Sequence, residues 1–191
     1  MFHRTPWWLL EPFDRTVRGL LYDAEAIVKP YVRPGDRVAD IGCGTGFFSV
    51  ALSRLVGPCG EVVLADVQRA MVDRAVARCE RDPRAQARLI PVVTDGADLD
   101  VAGPLDFALL SWSLHEMPDV PAQWRSLARL LRPGREVLVI EPLWHVSRRH
   151  FELLVAEAQA LGFRRRDVGG VCCSRAALLR APERAPHAGD S

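Results

Sequence analysis

Short apolar runs alternate with amphipathic stretches from residue 23 onwards, and this alternation limits the fold more than any other feature of the sequence. The amphipathic stretches carry apolar residues at helical spacing, as Met71, Ala75 and Cys79 do. The apolar runs are continuous, which is typical of strands buried on both faces of a parallel sheet. We therefore predict an α/β fold with a doubly wound, mostly parallel sheet of about seven strands and helices on both faces. The runs that carry this prediction are "RVADI" (37–41), "EVVLAD" (61–66), "ARLIPVV" (87–93), "LDFALLS" (105–111) and "EVLVIE" (136–141).

Turn residues predict where the helices end. A short helix is expected over "AEAIVKPYV" (24–32), and a longer one runs from the glycines near residue 46 to "GPCG" (57–60). The next helix stops before Pro83, because proline cannot continue it. Pro-Gly closes the helix "VPAQWRSLARLLRPG" (120–134), and Gly162 caps the last one, "RRHFELLVAEAQALG" (148–162). Strand-like pieces follow near residues 163–168 and 171–179.

The chain is predicted to hold one domain, residues 23–180, between two flanking segments. Residues 1–22 form an aromatic N-terminal segment and a candidate lid, since "FHRTPWWLLEPF" is too apolar to remain free in water. Residues 181–191 are polar and rich in proline, so we expect a disordered tail. A chain of 191 residues is long enough to bury a proper core in one domain.

Composition and charge exclude several classes of function. The net charge is +1, so no overall field attracts nucleic acid. No apolar run has the length of a membrane span, and the first residues lack the pattern of a signal peptide. We therefore expect a cytoplasmic protein that does not act at a membrane. Whether it is a monomer or a homodimer stays open.

The five cysteines do not have the spacing of a zinc site, and the sequence supports no metal site. Cys43 lies in the glycine turn and Cys79 on an apolar helical face, where both fit as small buried residues. Adjacent Cys172 and Cys173 are expected to face opposite sides of a strand, with a redox or thiophilic-metal site as the alternative. The remaining cysteine is Cys59.

The segment "VADIGCGTGFFSV" (38–50) forms a glycine-rich turn between a strand and a helix. Its pattern is D-x-G-x-G-x-G, with Asp40 two residues before the first glycine. The dinucleotide fingerprint needs glycine at position 47, which is phenylalanine here. A carboxylate at position 40 repels a pyrophosphate but suits a ligand with an ammonium and a sulfonium group.

Two further acids follow the next two strands. Asp66 is placed to accept hydrogen bonds from ribose hydroxyls, and capping the next helix is its alternative role. Asp95, in "TDGADL", is placed to accept from an adenine amino group, with the backbone at Gly96 beside the ring edge; an ordinary turn carboxylate is the alternative.

Five segments together resemble the class I S-adenosylmethionine-dependent methyltransferases. The resemblance implies a Rossmann-like sheet that is mostly parallel but has an antiparallel C-terminal strand. The resemblance covers roughly residues 23–180. It implies that Asp40, Gly42 and Gly44 hold the methionyl part of S-adenosylmethionine, with Cys43 in the same turn. The segments are "VADIGCGTG", "EVVLADVQRAM", "TDGADL", "LDFALLSWSLHEMPD" and "LLRPGREVLVIEP".

The remaining cofactor contacts also come from the resemblance. It implies that Asp66 holds the ribose and that Asp95 and Gly96 read the adenine edge. Val67 and Met71 pack near the adenine, although Met71 is also suited to a core position. The backbone carbonyl of Ser111 meets the ligand amine, and Trp112 begins the substrate wall.

Methyl transfer from a sulfonium needs mainly alignment and exclusion of water, so few obligatory residues are expected. Four tryptophans, Trp7, Trp8, Trp112 and Trp144, fall where substrate walls belong, which suits an apolar or aromatic acceptor or an amine. Trp7 and Trp8 also fit a role in docking the N-terminal segment. His115, with Glu116 beside it, is the candidate base for a hydroxyl acceptor; a histidine satisfied by loop backbone is the alternative.

"SWSL" (111–114) follows the fourth strand, in place of the motif of enzymes that methylate planar nitrogens, and no inserted RNA-binding domain is present. A small-molecule acceptor is therefore predicted. Two alternatives stay open: a protein that binds S-adenosylmethionine without catalysis, and a methyltransferase acting on protein or RNA.

Overall fold

A computed structural model describes residues 22–96, 99, 101, 103–166 and 168–183. Residues 1–21 of the predicted lid, with Trp7 and Trp8, lie outside the described residues, as does the predicted tail beyond residue 183. In the described part of the chain, no helix combines the length and the apolarity that are needed to cross a bilayer.

Helices and strands alternate along the described chain as the apolar pattern predicts. The five α-helices in the described residues are α1 (Ala24–Val28), α2 (Phe47–Val56), α3 (Arg69–Glu80), α4 (Val120–Leu130) and α5 (Arg148–Ala160), with a 3₁₀ turn at Leu114–Glu116. The strands are β1 (Arg37–Ile41), β2 (Glu61–Asp66), β3 (Arg88–Val93), β4 (Leu105–Ser111), β5 (Leu131–Pro142), β6 (Arg164–Arg166) and β7 (Ser174–Arg180).

The seven strands form one sheet in the order β3-β2-β1-β4-β5-β7-β6. Neighbouring strands from β3 to β5 pair in parallel, whereas β7 runs antiparallel to both β5 and β6. This confirms the predicted doubly wound sheet with an antiparallel C-terminal strand. The strand order reverses between β1 and β4, and ligands of such sheets bind beyond the carboxyl ends of the strands at this point.

The sheet separates two apolar cores, which confirms helices on both faces. Val28, Leu52 and Val72, from α1, α2 and α3, pack in one core, and Trp124 and Phe151, from α4 and α5, pack in the other. Both cores also contain residues of the central strands, because successive strand residues point to opposite faces. Burial on both faces explains why these strands are apolar throughout.

Two predicted helices end earlier than expected. The helix predicted over 24–32 ends at Val28, with Lys29 as its C-cap, since Pro30 has no N–H to continue the helix. The helix predicted over 120–134 ends at Leu130, and residues 131–134 already belong to β5. Leu131 pairs with Leu105 and buries its side chain in the sheet, and the register then shifts before Glu136 pairs with Phe107.

The prediction for Cys172 and Cys173 was wrong. The two residues do not alternate along a strand but form a turn just before β7, and Cys173 has a left-handed φ of 53°. A left-handed residue breaks the alternation of a strand, so both side chains can lie on the same side of the backbone.

Candidate functional site

The turn between β1 and α2 contains three glycines with left-handed backbone. Their φ angles are 70° at Gly42, 51° at Gly44 and 83° at Gly46. A Cβ at Gly42 would lie 2.3 Å from Cβ of Ser113, and one at Gly46 would lie 2.7 Å from Cα of Ala75. A Cβ at Gly44 would meet no protein atom within 4 Å. Gly42 and Gly46 are therefore needed for packing, whereas Gly44 faces open space.

Asp40 lies beneath this turn, at the end of β1. Its side chain is buried, and Oδ2 accepts a hydrogen bond of 2.6 Å from the hydroxyl of Ser49 in α2. Asp40 therefore ties the end of the strand to the helix. Burial raises the pKa of the neighbouring Cys43 thiol well above its usual value, and the charges of Asp40 and Asp66 add to this rise. Cys43 is thus a protonated, unreactive residue of the turn.

Asp66 connects β2 to the glycine turn. Its Oδ2 accepts from the backbone N–H of Gly44 at 3.0 Å, and Oδ1 accepts from that of Gln68 at 2.9 Å. Burial raises the pKa of Asp66, and the hydrogen bonds from backbone N–H groups oppose the rise. Gln68, not Asp66, is the N-cap residue of α3. The carboxylate therefore fixes the backbone of the glycine turn at Gly44, the position that faces open space.

The predicted adenine region lies beside β2 and β3. Gly96 has a φ of 88°, and a Cβ there would lie 3.2 Å from Val67 and 3.1 Å from Pro118. Asp95 is exposed, whereas Met71 is fully buried at the start of α3. The structure thus brings Val67 and Gly96 together. Contacts of Asp95 and Met71 with a ligand stay predictions.

The end of β4 lies directly against the glycine turn. Ser111 is its last residue and is buried, and the hydroxyl of Ser113 donates to the carbonyl of Ile41 at 2.8 Å. Trp112 has an unusual left-handed φ of 57° for a bulky residue. Its backbone N–H donates to the carbonyl of Ile140 at 2.8 Å, so β5 holds this strained conformation.

Three aromatic side chains, Tyr22, Trp112 and Trp144, form a group that we call the aromatic wall. The Trp112 ring meets Trp144 edge-on at 5.1 Å and Tyr22 edge-on at 6.0 Å between ring centroids. Trp112 Nε1–H donates to the hydroxyl of Ser174 at 3.2 Å. Trp144 is 60% exposed. The aromatic wall therefore presents one large exposed ring packed against a half-buried one, and Tyr22 is a member that the sequence analysis missed.

His115 pairs with a buried carboxylate that the sequence analysis also missed. Its Nδ1 lies 2.5 Å from Oε2 of Glu141, and its backbone N–H donates to Oε1 at 3.2 Å. Glu141 is the next-to-last residue of β5 and is completely buried. The signal was an acid directly after the apolar residues "VLVI" (137–140), because a buried charge needs a partner. The predicted neighbour, Glu116, is farther from the ring, at 3.9 Å from Nε2.

The pKa of His115 reflects two opposing influences. Burial is the strongest single influence and lowers this pKa. The hydrogen bond and charge of Glu141, together with the charge of Glu116, outweigh burial and raise the pKa above its usual value. The ring of His145 lies 4.9 Å away from that of His115. This arrangement of an imidazole oriented by a buried carboxylate suits a general base.

The site residues converge on one edge of the sheet. The glycine turn follows β1, Asp66 ends β2, Ser111 ends β4 and Glu141 is the next-to-last residue of β5. Trp124, by contrast, is fully buried in α4 and donates to the carbonyl of Leu154, so it belongs to the core. Among the described residues, no three His, Cys, Asp or Glu side chains are grouped so that they could hold a metal ion.

Comparison with known proteins gives consistent matches. Residues 38–134 match the family described as a methyltransferase domain. The chain is 32% identical over 127 residues to 2-phytyl-1,4-naphtoquinone methyltransferase of Synechococcus elongatus, covering 63% of this chain and 52% of that protein. It is 35% identical over 118 residues to ubiquinone/menaquinone biosynthesis C-methyltransferase UbiE of Pseudomonas putida, covering 58% and 43%. The chain therefore spans about half the length of the curated relatives that it matches.

One solved structure is similar to the fold of this chain over almost the whole length of both chains. It is a SAM-dependent methyltransferase from Aquifex aeolicus, with a TM-score of 0.78 and 21% identity, and the match covers 93% of this chain and 98% of that one. At this identity the likeness concerns the fold alone.

Proposed function

Because the chain belongs to the methyltransferase-domain family, we propose that it transfers a methyl group from S-adenosylmethionine to a small aromatic acceptor that carries an ionisable hydroxyl group. One observation carries this proposal. The open glycine turn after β1 and the His115–Glu141 pair after β4 and β5 lie at the same edge of the sheet, where the strand order reverses. A methyl donor and a base that lie at the same edge of the sheet suit methyl transfer to a group that must lose a proton.

The residues of the turn fit S-adenosylmethionine. Gly44 leaves room for the methionyl part, since a Cβ there would meet no protein atom within 4 Å. Asp66, whose Oδ2 accepts from the N–H of Gly44 in this turn, would hold the ribose hydroxyls, and Val67 with Gly96 would border the adenine. We also keep Asp40, Gly42, Asp95 and Ser111 as proposed contacts. When bound, the cofactor supplies an electrophilic methyl group on a sulfonium.

His115 is the proposed base. The carboxylate of Glu141 holds the ring proton on Nδ1, which leaves Nε2 to accept a proton from the acceptor. As this proton moves to Nε2, the imidazolium is stabilised by the buried charge of Glu141. The deprotonated acceptor would then carry the electron pair, at oxygen or at the adjacent ring carbon, that accepts the methyl group. The chain's part is to orient the acceptor, take up the proton and exclude water.

The aromatic wall supports a planar acceptor. Trp112 and Trp144 pack against each other, and His145, the residue after Trp144, contacts the ring of His115. Aromatic faces prefer flat partners. The names of the two relatives point the same way, because both concern quinone compounds. We propose that residues 1–22 form a lid and that Trp7 and Trp8, within this lid, complete the aromatic wall. A cytoplasmic location and a monomeric or homodimeric state remain predictions from the sequence.

Two glycine variants test the cofactor site. Gly44 and Gly35 both have left-handed backbone, with φ of 51° and 84°, and both face open space. Changing either one to Ala strains the backbone by about 1–2 kcal/mol. Only Gly44→Ala should also weaken the binding of S-adenosylmethionine, roughly tenfold or more. Titration calorimetry measures the affinity, and the absence of binding by the unchanged protein would contradict the proposal.

A transfer assay then separates catalysis from binding alone. Methyl-labelled S-adenosylmethionine is incubated with a panel of phenols, hydroquinones, amines and thiols. Transfer to the phenols or hydroquinones, and not to the amines, supports the proposed acceptor class. Cofactor binding without transfer to any member would favour the alternative of a non-catalytic binding protein.

A further inference from the structure

Cys172 and Cys173 have no part in the proposed reaction, yet their arrangement is that of a ligand site. Their Sγ atoms lie 3.3 Å apart, and both residues are exposed. Neighbouring residues of an extended strand point to opposite faces, so this convergence depends on the left-handed φ of 53° at Cys173. Both sulfurs are therefore available to a single incoming atom from solvent.

The turn that carries the two thiols is held in place by hydrogen bonds on both sides. The carbonyl of Cys172 accepts from the hydroxyl of Tyr22 at 2.7 Å, and the carbonyl of Cys173 accepts from the N–H of Leu143 at 3.1 Å. The N–H of Ser174 donates to the carbonyl of Val171 at 3.1 Å. Because the backbone is fixed before a ligand arrives, less ordering entropy opposes binding.

The distance between the two sulfurs can be compared with the distance that each kind of sulfur bond or thiophilic ligand requires. A disulfide needs about 2.05 Å between its sulfurs. Tetrahedral zinc, with bonds of about 2.3 Å to sulfur, needs about 3.8 Å and prefers four protein ligands. A pyramidal trivalent metalloid has bond angles nearer 90°, so its two sulfur ligands lie closer together than two sulfur ligands of tetrahedral zinc. Two thiols that already lie 3.3 Å apart, with no further His, Cys, Asp or Glu grouped beside them among the described residues, therefore suit a metalloid better than zinc.

We propose that Cys172 and Cys173 form a bidentate site for a soft trivalent metalloid, of the class of arsenic(III) or antimony(III) hydroxides and their organic derivatives. Two S–H bonds and two metalloid–OH bonds break, two metalloid–sulfur bonds form, and two water molecules leave. No electrons are transferred, so no oxidant or reductant is required. The third substituent of the metalloid remains outside the protein, which explains how two protein ligands suffice.

The site adjoins the aromatic wall. Ser174, the residue after the thiols, lies 2.6 Å from the Tyr22 hydroxyl and accepts from Trp112 Nε1–H. The thiol turn also meets Leu143, which immediately precedes Trp144. Occupation of the site therefore changes the surroundings of two tryptophans, and their fluorescence reports binding without any need for methyl transfer.

Phenylarsine oxide, which is selective for paired thiols, is the probe. We expect one equivalent to bind to the reduced protein, to change the tryptophan fluorescence, and to be released by a dithiol but not by the same concentration of thiol groups on a monothiol. The affinity should fall roughly 100-fold or more when one sulfur is removed, because the second bond of a chelate forms intramolecularly. Cys172→Ser and Cys173→Gly test this, and Gly at 173 keeps the left-handed backbone without strain.

Cys59 supplies the matched control, since it is exposed and stands alone. Cys59→Ser should bind the probe as the unchanged protein does. Circular dichroism and cofactor affinity verify that each variant is folded. Equal affinity in Cys173→Gly, loss of binding in Cys59→Ser, or release by the monothiol would each overturn the proposal. None of these outcomes depends on methyl transfer, so they leave the proposed function untouched.

Discussion

The glycine turn after β1 takes its shape mainly from three closely spaced glycines, whereas the aromatic wall and the His115–Glu141 pair join side chains from distant parts of the chain. In the turn, Gly42, Gly44 and Gly46 supply left-handed backbone, and the N–H of Gly46 donates to the carbonyl of Cys43 at 2.9 Å. On the other side of the site, Trp112 donates to Ser174, and His115 pairs with Glu141. The first region therefore needs a local sequence pattern, and the second needs the correct register of the strands. In a site divided in this way, substitutions can change the side that binds the methyl acceptor without changing the side that binds the methyl donor.

The largest effect that separates the two regions is expected at His115. His115→Ala removes the proposed base and should lower turnover by roughly 10²–10⁴-fold. The affinity for S-adenosylmethionine should remain nearly unchanged, because the glycine turn and Asp66 lie elsewhere. Steady-state kinetics and calorimetry on the same preparation measure both quantities. His150→Ala is the control, since His150 is exposed at the start of α5. Unchanged turnover in His115→Ala would assign the histidine to a structural role.

The donor side is tested by Asp66→Ala. This change removes acceptors from two backbone N–H groups and from the proposed ribose contacts, so cofactor binding should weaken by roughly 1–3 kcal/mol. Asp36→Ala is matched to it, because Asp36 is also 8% exposed and accepts from a turn N–H, that of Arg33. Both variants should lose stability in denaturant unfolding, but only Asp66→Ala should lose affinity in calorimetry. Equal affinity in the two variants would remove Asp66 from the cofactor site.

The difference between the two regions also explains what the sequence could predict. The order of helices and strands and the glycine turn follow from local patterns of apolar residues, glycines and prolines, and the antiparallel last strand follows from the family resemblance. Glu141 pairs with His115 across 26 positions, and Tyr22 approaches Ser174 across 152 positions. Such contacts depend on how β4, β5 and β7 align, which no local pattern encodes. The same holds for Leu131, whose place in the sheet ended α4 earlier than the Pro-Gly signal indicated.

The pair of His115 and Glu141 is tested by pH dependence. A base must be unprotonated, so activity should rise as pH passes the raised pKa of His115, and this rise should lie above pH 6.5, the usual value. In Glu141→Gln the charge that raises the pKa is lost while burial, which lowers it, remains. The rise in activity should therefore move to lower pH. Profiles of kcat against pH measure the shift. A profile that does not move, or moves to higher pH, would contradict a positioning role for Glu141.

The smallest effect concerns the outer part of the aromatic wall. Trp144→Ala removes an exposed ring that contacts Trp112 edge-on but leaves the His115–Glu141 pair intact. An aromatic contact contributes about 0.5–1.5 kcal/mol beyond its buried area, so KM for an aromatic acceptor should rise roughly 2–10-fold while kcat stays nearly constant. Leu153→Ala is the control, because Leu153 is 59% exposed, similar to Trp144 at 60%, but lies on α5 away from the wall. A fall in kcat with unchanged KM would mean that Trp144 positions the reacting atoms, which would extend the catalytic part of the site from the strand ends into the loop after β5.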